Sequence, residues 1–274
     1  MHKARADTFR CGGGLFKRLV RHPRFYICLS LTALFCLREV IVLHDYLVSL
    51  GYALHVDEMA FVIVFSGCNM PYTSVLFLLL LGDFFTDRSA MQADESVCVQ
   101  GQILYCLYAA LTMTGIVLSL SLLLSLPFSA AGTGWSEPLL FEQGLIQTSV
   151  VPKIIFSRMA PIPAILLSAL VIQLFWHTAA MAILVFTVFR AQRAGVMLYV
   201  FSLFASSICM LDRPLTFLPD MRFSLHAVLS IAPYGNEMTE VMPTLLGYAV
   251  ALAALAAVLS RSRRSAVYPT DSHV

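Results

Sequence analysis

The chain has 274 residues, 59% of them apolar and only 12% charged. A soluble domain of average usage is about half apolar and a quarter charged, so a chain this apolar could not cover itself with polar groups in water; lipid removes that constraint. The net charge of +2 is small, and the basic residues sit in short flanks beside apolar runs. That pattern excludes a clustered, phosphate-reading nucleic-acid binder.

A helix crossing the hydrocarbon needs about 20 apolar residues. In chain order the runs that qualify are 25–43, 59–81, 103–126, 162–189, 194–211 and 241–260. The expected fold class is an all-α integral membrane protein with six transmembrane helices. A basic N-terminal segment (1–24) precedes the membrane domain (25–260), and a tail (261–274) follows it. The first run has a long basic flank and no small-residue cleavage site after its apolar core, so it reads as a retained span and not a signal peptide. The third run stops at Pro127.

Lys and Arg concentrate on the cytoplasmic side of membrane proteins. With the N-terminus inside, the inner segments hold Lys3, Arg5, Arg10, Lys17, Arg18, Arg21, Arg24, Arg88, Arg190, Arg193, Arg261, Arg263 and Arg264. The outer segments hold only Lys153, Arg158, Arg213 and Arg222. Both termini are therefore expected in the cytoplasm. Outer segments fall at 127–161, where Trp135 suits an interfacial anchor, and at 212–240. The main inner loop, 82–102, carries Asp83, Asp87, Arg88, Asp94 and Glu95. Asp94 can cap a helix that continues through Val97 and Val99. The loop reads either as a docking site for a cytoplasmic partner or as a solvated connector.

Polar groups inside the apolar runs are the candidate functional residues, because ionisable groups in lipid are costly. Arg38 and Glu39 are adjacent, so they are expected to point to different sides of a helix and not face each other. Either each pairs with a neighbouring helix, or the span bends or ends early and leaves them near the outer interface. Gln173 and His177 lie one turn apart and either line a polar path or hydrogen-bond across helices. Asn69 stands beside Gly67 and Pro71, where the missing N–H of proline predicts a kink. Gly247 with Ala251, and Ala249 with Ala253 and Ala257, form lines of small residues that allow close helix packing, within the bundle or against a second subunit.

The seven cysteines have no Cys-x-x-Cys spacing and read as packing residues. The seven histidines are scattered, and no metal site is expected. Gly-x-x-x-x-Gly-Lys-Ser/Thr, His-Glu-x-x-His and Gly-x-Ser-x-Gly are all absent, which removes P-loop nucleotide binding and the commonest hydrolase signatures.

The layout resembles the membrane subunits of type 2 ABC exporters. The residues carrying the resemblance are Gly101-Gln102-Ile103-Leu104-Tyr105 at the start of the third run, Leu81-Gly82-Asp83-Phe84-Phe85 before the inner loop, and Leu126-Pro127-Phe128 after the third run. These residues look like those of a bacterial subgroup of such permeases whose inner loop tends to be basic just before the Gly-Gln pair; here the loop departs from that pattern in being acidic, at Asp94 and Glu95. The resemblance implies a permease in the bacterial plasma membrane, performing no hydrolysis and binding no cofactor itself. ATP and Mg would reside in a separate cytoplasmic P-loop ATPase. A second copy or a related permease would complete the pathway, and Phe84, Phe85, Asp87, Arg88, Asp94 and Glu95 would couple to the ATPase. The competing readings are a non-transporting assembly or sensory protein, which predicts a partner without nucleotide-driven movement, and a membrane-embedded enzyme. The enzyme reading predicts that one substitution, such as at His177 or Glu39, abolishes turnover.

Overall fold

The computed structural model describes residues 19–49, 51–64, 69–86, 95–132, 161–189, 193–201 and 238–267, together with positions 14, 17 and 191. These residues are mainly helical: α1 (Pro23–Ser49), α2 (Val56–Val64), α3 (Asn69–Thr86), α4 (Glu95–Ser125), α5 (Pro161–Val188) and α6 (Met238–Val267). A 3₁₀ turn, Leu126–Phe128, follows α4, and residues 193–201 form a further helical stretch. Among the described residues, two helices are long and apolar enough to cross a membrane: α1 and the stretch Gly101–Phe128. Tyr72–Gly82, Ile172–Val188 and Leu245–Ser260 are shorter apolar helices.

The helix limits have local causes. α1 runs six residues past the apolar run that ends at Leu43, and its stop signal lies beyond it. Gly51 has φ +75°; its N–H donates to Val48 O, and the Tyr52 N–H to Leu47 O, both at 3.0 Å. This is the Schellman pattern, in which a left-handed glycine satisfies the last carbonyls of a helix. α4 begins at Glu95, directly after Asp94, and runs unbroken through Val97 and Val99 to Ser125. Pro127 confines the next turn to 3₁₀ geometry. The second apolar run is divided between α2 and α3, with Pro71 in the first turn of α3, where a missing N–H costs nothing. Gly67, and with it the expected kink, lies outside the described residues, as do Trp135 and positions 202–211 of the fifth run.

Side-chain contacts fix the relative directions of the helices. Cys28 Sγ lies 3.8 Å from Met113 Sδ, and Cys36 Sγ 3.7 Å from Ser121 Oγ. The His44 ring meets Phe128 edge-on at 5.2 Å. The paired numbers rise together, so α1 and α4 run parallel. Against α3 they run oppositely: Arg24 meets Gly82, Cys28 Sγ approaches Leu76 O at 3.7 Å, and Phe35 stacks on Tyr72 at 4.5 Å. The stretch 193–201 doubles back along α5, with Gly195 on Phe186 and Tyr199 stacked on Phe175 at 6.2 Å. The register sets residues 23–43 of α1 beside 108–128 of α4, a shared apolar layer about 30 Å deep at 1.5 Å per residue, equal to the hydrocarbon thickness of a bilayer.

α1 meets its neighbours through one stripe, Cys28, Thr32, Cys36 and Val40. These are small side chains at four-residue spacing that let α4 approach closely. Cys28, Cys36 and Cys106 are thiols packed in the core. α2 is buried on every side from Asp57 to Val64, as expected of a helix that is apolar all round, and it packs mainly on α4. α6 lies mainly on α5, and Leu245, Tyr248, Leu252, Leu255 and Leu259 turn toward the core.

Candidate functional site

Near mid-depth in the bundle, α3, α4 and α5 bring polar side chains into an apolar core. Thr114 and Gln173 are each 8% exposed. The Thr114 hydroxyl lies 2.9 Å from Gln173 Oε1 and 3.0 Å from Ala110 O, so its single proton serves one acceptor or the other. Trp176 is fully buried, with its ring 5.7 Å from that of Phe77 on α3. Ser74 precedes Phe77 by one turn, and the Tyr199 hydroxyl donates to Ser74 O at 3.2 Å. Gln173, Trp176 and His177 share one face of α5, being separated by three and four residues. Gln173 Nε2, Trp176 Nε1, His177 Nε2 and Ser74 Oγ are buried with no hydrogen-bond partner among the described residues. Leaving such groups unpaired costs about 1–3 kcal/mol each.

Of the two settings expected for Gln173 and His177, the interhelical bond applies to Gln173. His177 makes none at Nε2 among the described residues. Thr114, Ser74 and Trp176 were not singled out by sequence reasoning. The only signal for them is the polar atom each carries inside an apolar run.

Arg38 and Glu39 require a correction. The expectation that neighbours on a helix cannot face each other fails here, because the Arg38 guanidinium folds back onto Glu39 Oε1 as an ion pair. Adjacent Cβ atoms do diverge, but the arginine stem is long enough to span the divergence. Nor does the helix end early at this point, since α1 continues to Ser49. The register with α4 sets the pair within one turn of Ser125, toward the end of the shared layer. There Arg38 is 58% exposed and Glu39 14%.

The same end of the bundle holds a feature that sequence reasoning passed over by starting the second run at Met59. Asp57 and Glu58 open α2 and are buried, at 8% and 0% exposure. Asp57 Oδ1 accepts the Glu58 N–H at 3.0 Å, and the positive end of the helix dipole favours both carboxylates there. Beside them the chain is clasped: the Ala130 N–H donates to Leu54 O at 2.8 Å, and His55 covers Gly132, whose φ is +135°.

At the opposite end, the Arg24 guanidinium lies against Gly82, where a Cβ would come within 2.7 Å of its Nη1. Phe84 and Phe85 follow in the last turn of α3, and Glu95 opens α4. Asp87, Arg88 and Asp94 lie outside the described residues, and Asn69 is described only as the first residue of α3. On α6, Gly247, Ala249, Ala253 and Ala257 are exposed and Ala251 half-buried. Among the described residues, the part of α6 that reaches the core is its leucine and tyrosine stripe, with Ala256. Among the described residues no group of three or more His, Cys, Asp or Glu side chains gathers as a metal site. No family model matches the chain, and no curated protein or solved structure matches it.

Proposed function

We propose that the chain is the permease subunit of an ATP-driven exporter of the type 2 ABC class. In this reading it crosses the bacterial plasma membrane six times with both termini inside, and a separate cytoplasmic P-loop ATPase drives it. The observation that carries this reading is the junction of Arg24 with Gly82. An exporter must transmit the closure of its ATPase into its spans. This contact ties the first turn of α1, where the basic segment ends, to the last turns of α3, directly before the stretch 84–95. Pulling that loop shifts α3, and with it the aromatic pair Phe77–Trp176 at mid-depth.

Three further features support the reading. The parallel α1 and α4 with an antiparallel α3 between them have the alternation that successive crossings require. Only 22% of the apolar window of α1 is buried, whereas the core helix of a soluble protein is mostly covered. Large apolar side chains face outward on several helices, among them Leu34, Leu123, Leu166, Leu246 and Val250, a surface suited to lipid. A second copy of the chain or a related permease completes the pathway.

Purification from native membranes in mild detergent, with mass spectrometry of what accompanies the chain, tests the proposal. A P-loop ATPase in near-stoichiometric amount is the expected result. Its reproducible absence from intact, folded preparations would contradict the permease role. A stable partner lacking a P-loop would favour the assembly reading.

A further inference from the structure

We infer that the basic turn ahead of α1 is a headgroup site for an anionic phospholipid, with the lipid phosphate held between Lys17 and Arg21. The site rests on α1 crossing a membrane and goes beyond the permease reading. Charge, geometry and depth converge on it.

The charge of the chain is divided unevenly. Residues 1–24 hold seven Lys or Arg and a single acid, Asp7, although the whole chain has a net charge of only +2. No Asp or Glu occurs between Asp7 and Glu39, so Lys17 and Arg21 have no acidic neighbour in their own segment. Arg24 is committed elsewhere, with its guanidinium against Gly82 of α3.

The geometry aims the two remaining charges outward. Positions 17 and 19–21 are helical. Leu19 is 4% exposed and belongs to the core. Lys17 and Arg21 each lie two residues from it, about 200° around the helix, and so stand opposite the anchored face. Both are exposed. One turn separates them, which sets their Cβ atoms about 6 Å apart. Two long basic side chains at that spacing can close around one phosphate. The turn beneath them is fixed by hydrogen bonds. The His22 N–H donates to Leu19 O at 3.2 Å and the Phe25 N–H to His22 O at 3.0 Å. The Arg24 N–H donates to His22 Nδ1 at 3.2 Å. A scaffold already ordered in this way lowers the entropic cost of binding.

Depth selects a lipid as the occupant. The apolar layer shared with α4 opens at Pro23. The six residues back to Lys17 advance no more than about 9 Å as helix, which keeps both charges at headgroup level. Tyr26, 56% exposed and just inside the layer, suits the aromatic belt found there. The lipid-facing surface at Tyr26 and Ile27 therefore continues up to Lys17 and Arg21, and their charge favours anionic over zwitterionic headgroups.

The test uses the full-length chain in nonionic detergent micelles without any ATPase. Both ends of the bundle are then accessible, so the result is independent of the permease reading and of which way the chain faces. Native mass spectrometry would follow binding of the first phosphatidylglycerol, phosphatidylcholine or inorganic phosphate. Phosphatidylglycerol is expected to bind at least fivefold more tightly than phosphatidylcholine, with inorganic phosphate not retained. Lys17→Gln combined with Arg21→Gln should weaken phosphatidylglycerol about 25-fold, or about fivefold for each charge removed. Both residues are exposed, so the change leaves the core intact. Lys3→Gln combined with Arg5→Gln removes the same charge from the same segment and should change the affinity less than twofold. The site is overturned if phosphatidylcholine or inorganic phosphate binds as tightly as phosphatidylglycerol, or if the variant at positions 17 and 21 binds it unchanged. An equal loss in the variant at positions 3 and 5 would also overturn it, because the attraction would then belong to the diffuse charge of the segment.

Discussion

Replacing Trp176 by alanine is expected to cost about 3–5 kcal/mol of folding stability, the range seen when a fully buried large aromatic is cut to a methyl group. Trp176 has no exposed surface, and its stacking partner Phe77 is equally buried. The two rings join α3 to α5, so neither helix can collapse into the space without losing its other contacts. Most of the cost is the cavity and the lost dispersion contacts, because the indole N–H has no partner to lose. Trp176→Phe should therefore cost much less than Trp176→Ala. Leu246→Ala, on the outward face of α6 at 65% exposure, should stay within about 0.5 kcal/mol. Unfolding in mixed micelles with increasing dodecyl sulfate, followed by circular dichroism, measures all three. An alanine variant as stable as the parent would mean that α3 and α5 do not meet at this pair.

The second large effect is expected at Gly195. A Cβ there would lie 2.7 Å from Phe186 Cβ and 2.9 Å from its Cγ. These atoms are anchored next to the backbone and cannot swing aside as the end of a long side chain can. Gly195→Ala must push the 193–201 stretch away from α5, at a cost of about 1–3 kcal/mol for overpacking. Tyr199, one turn on, would be drawn off Phe175 and off Ser74 O. Gly247→Ala is the matched control. Nothing lies within 4 Å of a Cβ at that position, so removing a helical glycine should stabilise by up to about 1 kcal/mol. The same micelle titration should move the two variants in opposite directions. A Gly195→Ala variant as stable as the parent would contradict the close approach at Phe186.

The sequence discloses features whose cause is local and hides those that depend on register. Pro127 marks the end of α4 within a residue, because proline acts on its own backbone. The end of α1 is harder to read. Residues 44–49 include His44 and Asp45, so the apolar signal fades before the helix does, and the stop is a left-handed glycine at position 51. Gln173 and His177 are conspicuous as polar residues in an apolar run. Their neighbours are not: threonine and serine are ordinary in such runs, and tryptophan counts as apolar until its N–H is found buried. The Gln173–Thr114 bond depends on how α4 and α5 slide against each other, which no single segment encodes.

On α6 two periodic patterns compete, a small-residue line and a leucine–tyrosine stripe. The larger side chains bury more apolar area and turn toward the core. Asp57 and Glu58 look like linker residues because they precede an apolar run. They are buried because the whole of α2 is enclosed. Arg38 and Glu39 show the limit of reasoning from Cβ directions alone, since a long side chain can fold back on its neighbour.

The most direct test of the account is the sidedness of the chain in its own membrane. Short epitopes would be placed at the N-terminus, after Thr133 and at the C-terminus, one per variant, and antibody access compared in intact and permeabilised spheroplasts. The account predicts that the epitope after Thr133 is reached in intact cells, and that both terminal epitopes are reached only after permeabilisation. Access to either terminus in intact cells, protection at Thr133, or recovery of the chain in the soluble fraction would contradict it.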